Sequence, residues 1–431
     1  MAALEEKQMV EQVKGLKTGI KYKDTPIGKI PVDWEVVKLG DVCIVIGGST
    51  PSTGKREFWG GDIPFVTPTD ITHLKGREIS DTQQKITPDG LASCGTTLLP
   101  VGAILLTSRA TIGACAINTK PMATNQGFAN LVCHEKVYNW FIFYKMILLQ
   151  QELERLGSGS TFKEVSKKNI RSLTISLPPL PEQKKISEIL VTADDAIEKT
   201  GQIIEKMKEA KKGLMQQLLT RGIGHKKFKK TEIREIPEGW EVGNISDYGE
   251  IVTGNTPLTN VPRYYGNEYP FVSPFDLGEK RVITRTEKYL SKEGFSVARG
   301  IPLNSVLVVC IGSTIGKTGI AGTKMATNQQ INSIICKNND YNFVYYYVTF
   351  INHIFEQLAG TQAVPILNKG NFSKVKIVIP PIEEQQQIAD ILSSLDSQIE
   401  QETNHKSQLE FLKKGLMQVL LTGKIRVKML G

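Results

Sequence analysis

Two kinds of hydrophobic pattern alternate along the chain. Short apolar runs such as GAILLT (102–107), SVLVVCIG (305–312) and NSIIC (332–336) are separated by Gly, Pro, Asn and Thr, which predicts short strands joined by turns. An aromatic-rich stretch near 138–156 predicts a helix beside them. These runs fill about 22–178 and 228–380, each long enough to bury a core of its own. After each comes a stretch rich in Lys, Glu, Gln, Leu and Ile with no internal proline, about 181–220 and 383–422. Each predicts one helix of about 60 Å at a rise of 1.5 Å per residue.

Steps of four and three residues through the first helix reach Ile186, Leu190, Ile197, Ile204, Leu214 and Leu218, and through the second Ile388, Leu392, Ile399, Leu409, Leu416 and Leu420. That is the apolar seam of a coiled coil. Thr200, Glu402 and Lys406 interrupt it midway. For one such helix, an amphipathic face lying on its own domain would be the better reading. Two matched helices following two matched domains favour packing on each other.

The matching is explicit. IPVDWEVVKLGDV (30–42) aligns with IPEGWEVGNISDY (236–248), and WGGDIPFVTPTD (59–70) with YGNEYPFVSPFD (265–276), at a shift of 206. PPLPEQKKISEIL (178–190) aligns with PPIEEQQQIADIL (380–392), and KKGLMQQLLT (211–220) with KKGLMQVLLT (413–422), at 202. Between these anchors, RATIGACAINTKPMATNQG (109–127) aligns with GSTIGKTGIAGTKMATNQQ (312–330) at 203, placing Arg109 on Gly312 and Ala114 on Lys317. One module is present twice, too few copies for a solenoid.

The second of those stretches resembles a phosphate-binding loop, but only three residues separate Gly312 from Gly316, where the motif needs four, and its partner copy has no lysine. The formal charge of +9 (53 Lys+Arg against 44 Asp+Glu) and a pI near 9.0 lean toward a polyanionic partner. Six cysteines show no metal-ligand spacing, and none of the five scattered histidines recurs at its matched position. We therefore expect reduced thiols, no metal and no catalytic histidine. The charged opening MAALEEKQMVEQVKG and the short apolar run WFIFYKMILL predict neither a secretory leader nor a membrane span, hence a cytoplasmic chain. No Asn-Pro-Pro-Tyr, S-adenosylmethionine-type glycine loop or Pro-Asp…Glu-x-Lys nuclease cluster occurs.

Two divergent β-rich domains, each led by Ile-Pro-x-x-Trp-Glu, carrying Thr-Ile-Gly…Ala-Thr-Asn-Gln and followed by a Pro-Pro-x-x-Glu-Gln helix, resemble the specificity subunit of type I restriction-modification systems over essentially the whole chain. The resemblance implies an α+β fold with a pseudo-twofold repeat: two tandem, β-rich α/β target recognition domains separated by two long helices that form an antiparallel coiled coil. The corresponding boundaries are an N-terminal helical segment at 1–21, recognition domains at 22–180 and 228–382, and helical spacer regions at 181–227 and 383–431. It also implies that each domain reads one half of a bipartite double-stranded DNA target and that the helices set the spacing. Two modification (methyltransferase) subunits would dock on the chain, joined by ATP-driven restriction subunits. S-adenosylmethionine, ATP and Mg would belong to those partners, with no cofactor on this chain and no membrane contact. The N-terminal segment would complete the symmetry beside the last helix.

Motifs common to both copies cannot carry a difference between half-sites. Asn125, Gln126, Asn328 and Gln329 are therefore expected to satisfy backbone groups or touch phosphate, and Trp34 and Trp240 to anchor cores. Phosphate contacts are expected from Ser49, Thr50, Ser52, Lys55, Arg56 and Lys163 in the first domain, and from Thr256, Arg263, Ser313 and Lys317 in the second. Base contacts are expected from Arg77 and Arg109, and from Arg281 and Arg285, because Arg bidentate to guanine is the commonest specific contact. Two rival readings remain open: an adaptor that binds protein alone, and a nucleotidase at 312–318.

Overall fold

The repeated hydrophobic pattern folds twice into the same sheet. In the computed structural model the described residues are 21–157, 163–360 and 363–427; the helical segment expected at 1–21 lies outside them except for its last residue. The chain divides into two compact units, 1–203 with 403–431, and 204–402. The first is built on a five-stranded sheet in the order Cys43–Gly47, Ala129–Cys133, Ile104–Leu106, Cys115–Asn118, Glu78–Ile79. The second repeats that order with Gly249–Thr253, Ile331–Cys336, Val306–Val309, Thr318–Ala321 and Val282–Ile283. In both, the first four strands are antiparallel and the last joins in parallel.

Those strands are short apolar runs because both faces are covered. Ile104, Leu105 and Leu106 are fully buried, as are Val306 to Val309. One face meets the expected aromatic helix, which is bent into Asn139–Leu148 and Gln150–Leu156, and in the second unit into Tyr341–Phe350 and Asn352–Ala359. The bend sits where the Thr-Ile-Gly turn presses on the helix: a side chain at Gly113 would strike Gln150, and one at Gly316 would strike Asn352. Both glycines are left-handed, at φ +86° and +87°, a conformation costly for any other residue. The motif is a turn requirement shared by both copies.

The two long helices span Leu180–Arg221 and Ile382–Leu420. Each unit takes half of both, so the units do not follow the sequence segments. In the first unit, Ile186, Leu190, Ala193 and Ala196 share a core with Leu409, Leu416, Met417 and Leu420, and with Phe141, Tyr144 and Trp34 of the domain. Lys413 and Asp194 pair at 2.6 Å across the two helices. In the second, Leu218 and Leu219 join Ile388 and Leu392 under Phe343 and Tyr347, and Lys211 bonds Asp396. The pairing runs antiparallel in each unit. Of the predicted seam, Ile197, Leu214 and Ile399 are half-buried and the rest buried. Both readings of the stripe therefore hold together: one edge faces the other helix, the next faces a domain.

The Pro-Pro-x-x-Glu-Gln motif fastens helix to domain. Trp34 donates its indole N–H to Glu182 at 3.1 Å, and Trp240 donates to Glu384 at 2.8 Å. Gln183 accepts from the Tyr138 amide and donates to the Pro178 carbonyl; Gln385 does the same with Asp340 and Pro380. Glu182 is 2% exposed and is paired with Arg426, as a buried carboxylate must be. His225 stands in the matching place against Glu384, at 2.8 Å.

Candidate nucleic-acid interface

Sheet register places three loops of each unit at one end. Gly47 pairs with Ala129, and Leu106 with Cys115, so the loops after 47, after 106 and before 129 emerge together. In the second unit Thr253 pairs with Asn332 and Val308 with Thr318, with the same result. A fourth segment closes onto this end through isolated bridges, Arg109 with Glu164 and Ile311 with Ile366.

The Ala-Thr-Asn-Gln turn holds this end in shape. Met122, Ala123 and Thr124, like Met325, Ala326 and Thr327, are buried. Asn125 accepts from the Gly127 amide at 2.9 Å and Asn328 from the Gln330 amide at 3.1 Å, each closing its own turn. Gln126 and Gln329 accept from the hydroxyls of Thr50 and Thr256, the latter at 2.6 Å. Thus two expected phosphate ligands are fixed by framework glutamines.

Ser49 lies beside them, its amide bonded to the Thr124 carbonyl, and Lys163 is exposed next to the Arg109–Glu164 bridge. The first unit therefore gathers Ser49, Thr50, Arg109 and Lys163 at one end. Ser52, Lys55 and Arg56 continue outward along an exposed loop; Trp59 donates to the Ser52 carbonyl at 3.1 Å and Lys55 lies over the Phe58 ring. In the second unit Thr256 and Ser313 share the equivalent end. Arg263 is ion-paired with Glu293 at 3.2 Å.

Three expected ligands are placed differently. Arg77 is tied to Asp194 and Asp195 of the first long helix and faces Trp140. Its counterpart Arg281 donates to Asn342 at 2.7 Å and faces Tyr346. Acidic neighbours hold Arg77 between its domain and the long helix, while Arg281 is held against the aromatic helix of its own domain. Arg285 is exposed and lines a separate groove of about 310 Å³ with Phe275 and Lys280. Phe275 is itself 81% exposed.

The phosphate-loop reading of 312–318 fails on topology. That segment is the turn of a hairpin between antiparallel strands Val306–Val309 and Thr318–Ala321, where a phosphate loop leads from a strand into a helix. Lys317 is exposed, its stem against Gly278.

The hydrogen bonds also correct one sequence alignment. Val165 donates to the Ser108 carbonyl as Leu367 does to Cys310, so Arg109 corresponds to Ile311 rather than Gly312, and the second copy carries one extra turn residue. Glu164 and Ile366 are the facing partners. Sequence reasoning passed over both, although divergent residues flanking a shared motif were the available signal.

All six cysteines are free thiols. Cys133 and Cys336 pack partly buried against their units' main cores. Burial pushes Cys115, Cys310 and Cys336 up to about 12; the neighbouring Cys133 thiol, aided by burial, raises Cys43 further. These are packing residues in an environment that disfavours the reactive thiolate. Among the described residues no group of three or more His, Cys, Asp and Glu is placed to hold a metal, and no helix is long and apolar enough to cross a membrane.

Comparison with known proteins bears on this arrangement directly. The sequence model of the type I restriction modification DNA specificity domain matches twice, at 31–209 and 237–410. The MjaIX type I restriction enzyme specificity subunit of Methanocaldococcus jannaschii is 31% identical over 432 residues, 95% of this chain and 97% of that protein. The EcoR124I/EcoR124II specificity subunit of Escherichia coli is 29% identical over 167 residues, 37% of this chain and 40% of that one. Among solved structures, the type I S subunit of M. genitalium superposes with a TM-score of 0.56 at 13% identity, over 94% of this chain and 99% of its own.

Proposed function

Because the chain belongs to the family of type I restriction-modification DNA specificity subunits, we propose that it selects the DNA sequence on which partner subunits act and catalyses no reaction itself. The observation that carries this is one framework built twice with unlike loops at the same end of each sheet. Each unit would read one half of an asymmetric bipartite duplex target, since readout needs donors, acceptors and methyl contacts matched to base edges. Ser49 and Lys163 in the first unit, and Ser313 in the second, would hold phosphates while neighbouring side chains reach the bases.

The long helices would set the separation of the half-sites. Two heads on one face of a duplex lie near one turn apart, about 34 Å, within reach of helices about 60 Å long. A duplicated chain can seat two copies of one partner equivalently, here two adenine-N6 methyltransferase subunits carrying S-adenosylmethionine; restriction subunits would add ATP- and Mg-dependent cleavage. The cell compartment in this reading is the cytoplasm, where the DNA is.

Co-expression with a type I modification subunit, followed by mapping of methylated adenines, tests the reading. Methylation at one bipartite motif with unlike halves and a fixed gap is the expected result. A stable complex without any methylated motif would leave only a scaffold, and no complex would favour the adaptor alternative.

A further inference from the structure

Internal duplication supplies a control that a single domain lacks. Where the backbone is the same in both units, a change of side-chain chemistry answers to something outside the framework. The isolated bridge at the gathered end is such a place. The hydrogen bonds around it match, and the residue after it is left-handed in both units: Ala110 at φ +59° and Gly312 at +99°. Yet the first unit holds an ion pair there, Arg109 to Glu164 at 2.9 Å, and the second holds Ile311 against Ile366.

Neither pair is explained by stability. The Arg109 and Glu164 side chains are 43% and 41% exposed, and ion pairs so placed contribute little. Arg109 Nε is buried without a partner, and Ala110 adopts a conformation unfavourable for a residue with a Cβ. In the second unit Ile366 is 49% exposed and Val364, two residues earlier, 55%. Neither is buried, and the two side chains leave a small apolar patch beside the bridge.

We propose that this bridge is where each unit reads a base pair, G·C by the first unit and A·T by the second. This rests on the reading of the chain as a DNA specificity subunit. In the major groove guanine offers two acceptors and cytosine an amino donor, side by side across one pair; Arg109 donates to the first and Glu164 accepts from the second. Thymine instead presents a methyl group, which Ile311, Ile366 and Val364 meet with apolar surface. Lys163, exposed at the same end, supplies an adjoining phosphate contact.

The test uses the full chain co-expressed with its modification subunit and maps methylated motifs. Transplanting the ion pair, Ile311→Arg with Ile366→Glu, is expected to convert one A·T position of one half-site to G·C. The reciprocal Arg109→Ile with Glu164→Ile should convert one G·C position of the other half, each leaving the opposite half unchanged. Methylation at the native motif should fall about tenfold or more. A native motif that persists in both variants overturns the proposal alone, whereas a native chain that methylates no motif overturns the specificity reading and this proposal with it. Should a double variant fail to fold, Glu164→Gln is the milder probe. It is expected to relax discrimination at the same pair at normal soluble yield, and unchanged discrimination there sinks the assignment.

Discussion

Single side chains in matched positions carry opposite energetic signs. Asn130 is buried and donates to the Thr124 hydroxyl at 2.8 Å, leaving only its own Oδ1 without a partner; at the matched place Ser333 is too short, and both Ser333 Oγ and Thr327 Oγ1 are buried without partners. An orphaned buried hydroxyl costs about 1–3 kcal/mol. Ser333→Ala should therefore raise stability by about 1 kcal/mol, while Asn130→Ala lowers it by a similar or larger amount, as denaturant titration will show. Lys145 gives a second residue-scale expectation. It is buried within the apolar helix, donating to Ser176 and to the Leu421 carbonyl at the end of the second long helix, and burial lowers its pKa to about 8. Between pH 8 and its ordinary value near 10.5, the unfolded chain binds the proton that the folded one has lost, so stability rises with pH across that window and is lost as pH falls through 8. The slope is about 1.4 kcal/mol per pH unit. Lys145→Met should flatten it in melting curves from pH 8 to 10. Sequence alone placed Trp34 and Trp240 correctly as anchors, but it could not show that Arg77 and Arg281 face a helix. Charge is legible in a sequence; its partner is not.

At the scale of elements, periodicity located both long helices to within a residue or two, because forty residues without proline and with an apolar stripe admit little else. It missed the bend in each aromatic helix, which lies against a glycine turn from another segment. It also missed the one-residue insertion at Ser313, visible only through hydrogen bonds. The helices contain one feature their own unit does not explain. Gly213 and Gly415 occupy matched positions inside the last turns of the two helices, and a Cβ at either would meet open space. Glycine inside a helix costs about 1 kcal/mol relative to alanine. Gly213→Ala and Gly415→Ala should each raise the melting temperature by a few degrees in the isolated chain.

For the whole molecule, the duplication was the most legible property, and it determined the fold because two copies of one hydrophobic pattern must solve the same packing problem. The three apolar clusters of the first unit recur in the second in equivalent places. What the sequence did not disclose is how the chain is shared out. The second unit is one uninterrupted stretch, 204–402, whereas the first joins residues before 204 to residues after 402.

That division sets an order of events on the ribosome. The first domain emerges early, yet Ile186, Leu190 and Ala193 wait for Leu409, Leu416 and Leu420 to cover them. At roughly 5–20 residues per second, the intervening 200 or so residues take about 10–40 s to synthesise. The later unit can close its core during that interval while the earlier one stays open, so the half of the protein made first is finished last, and a chain released after Glu402 but before Leu409 leaves the first domain, not the second, with its apolar flank bare.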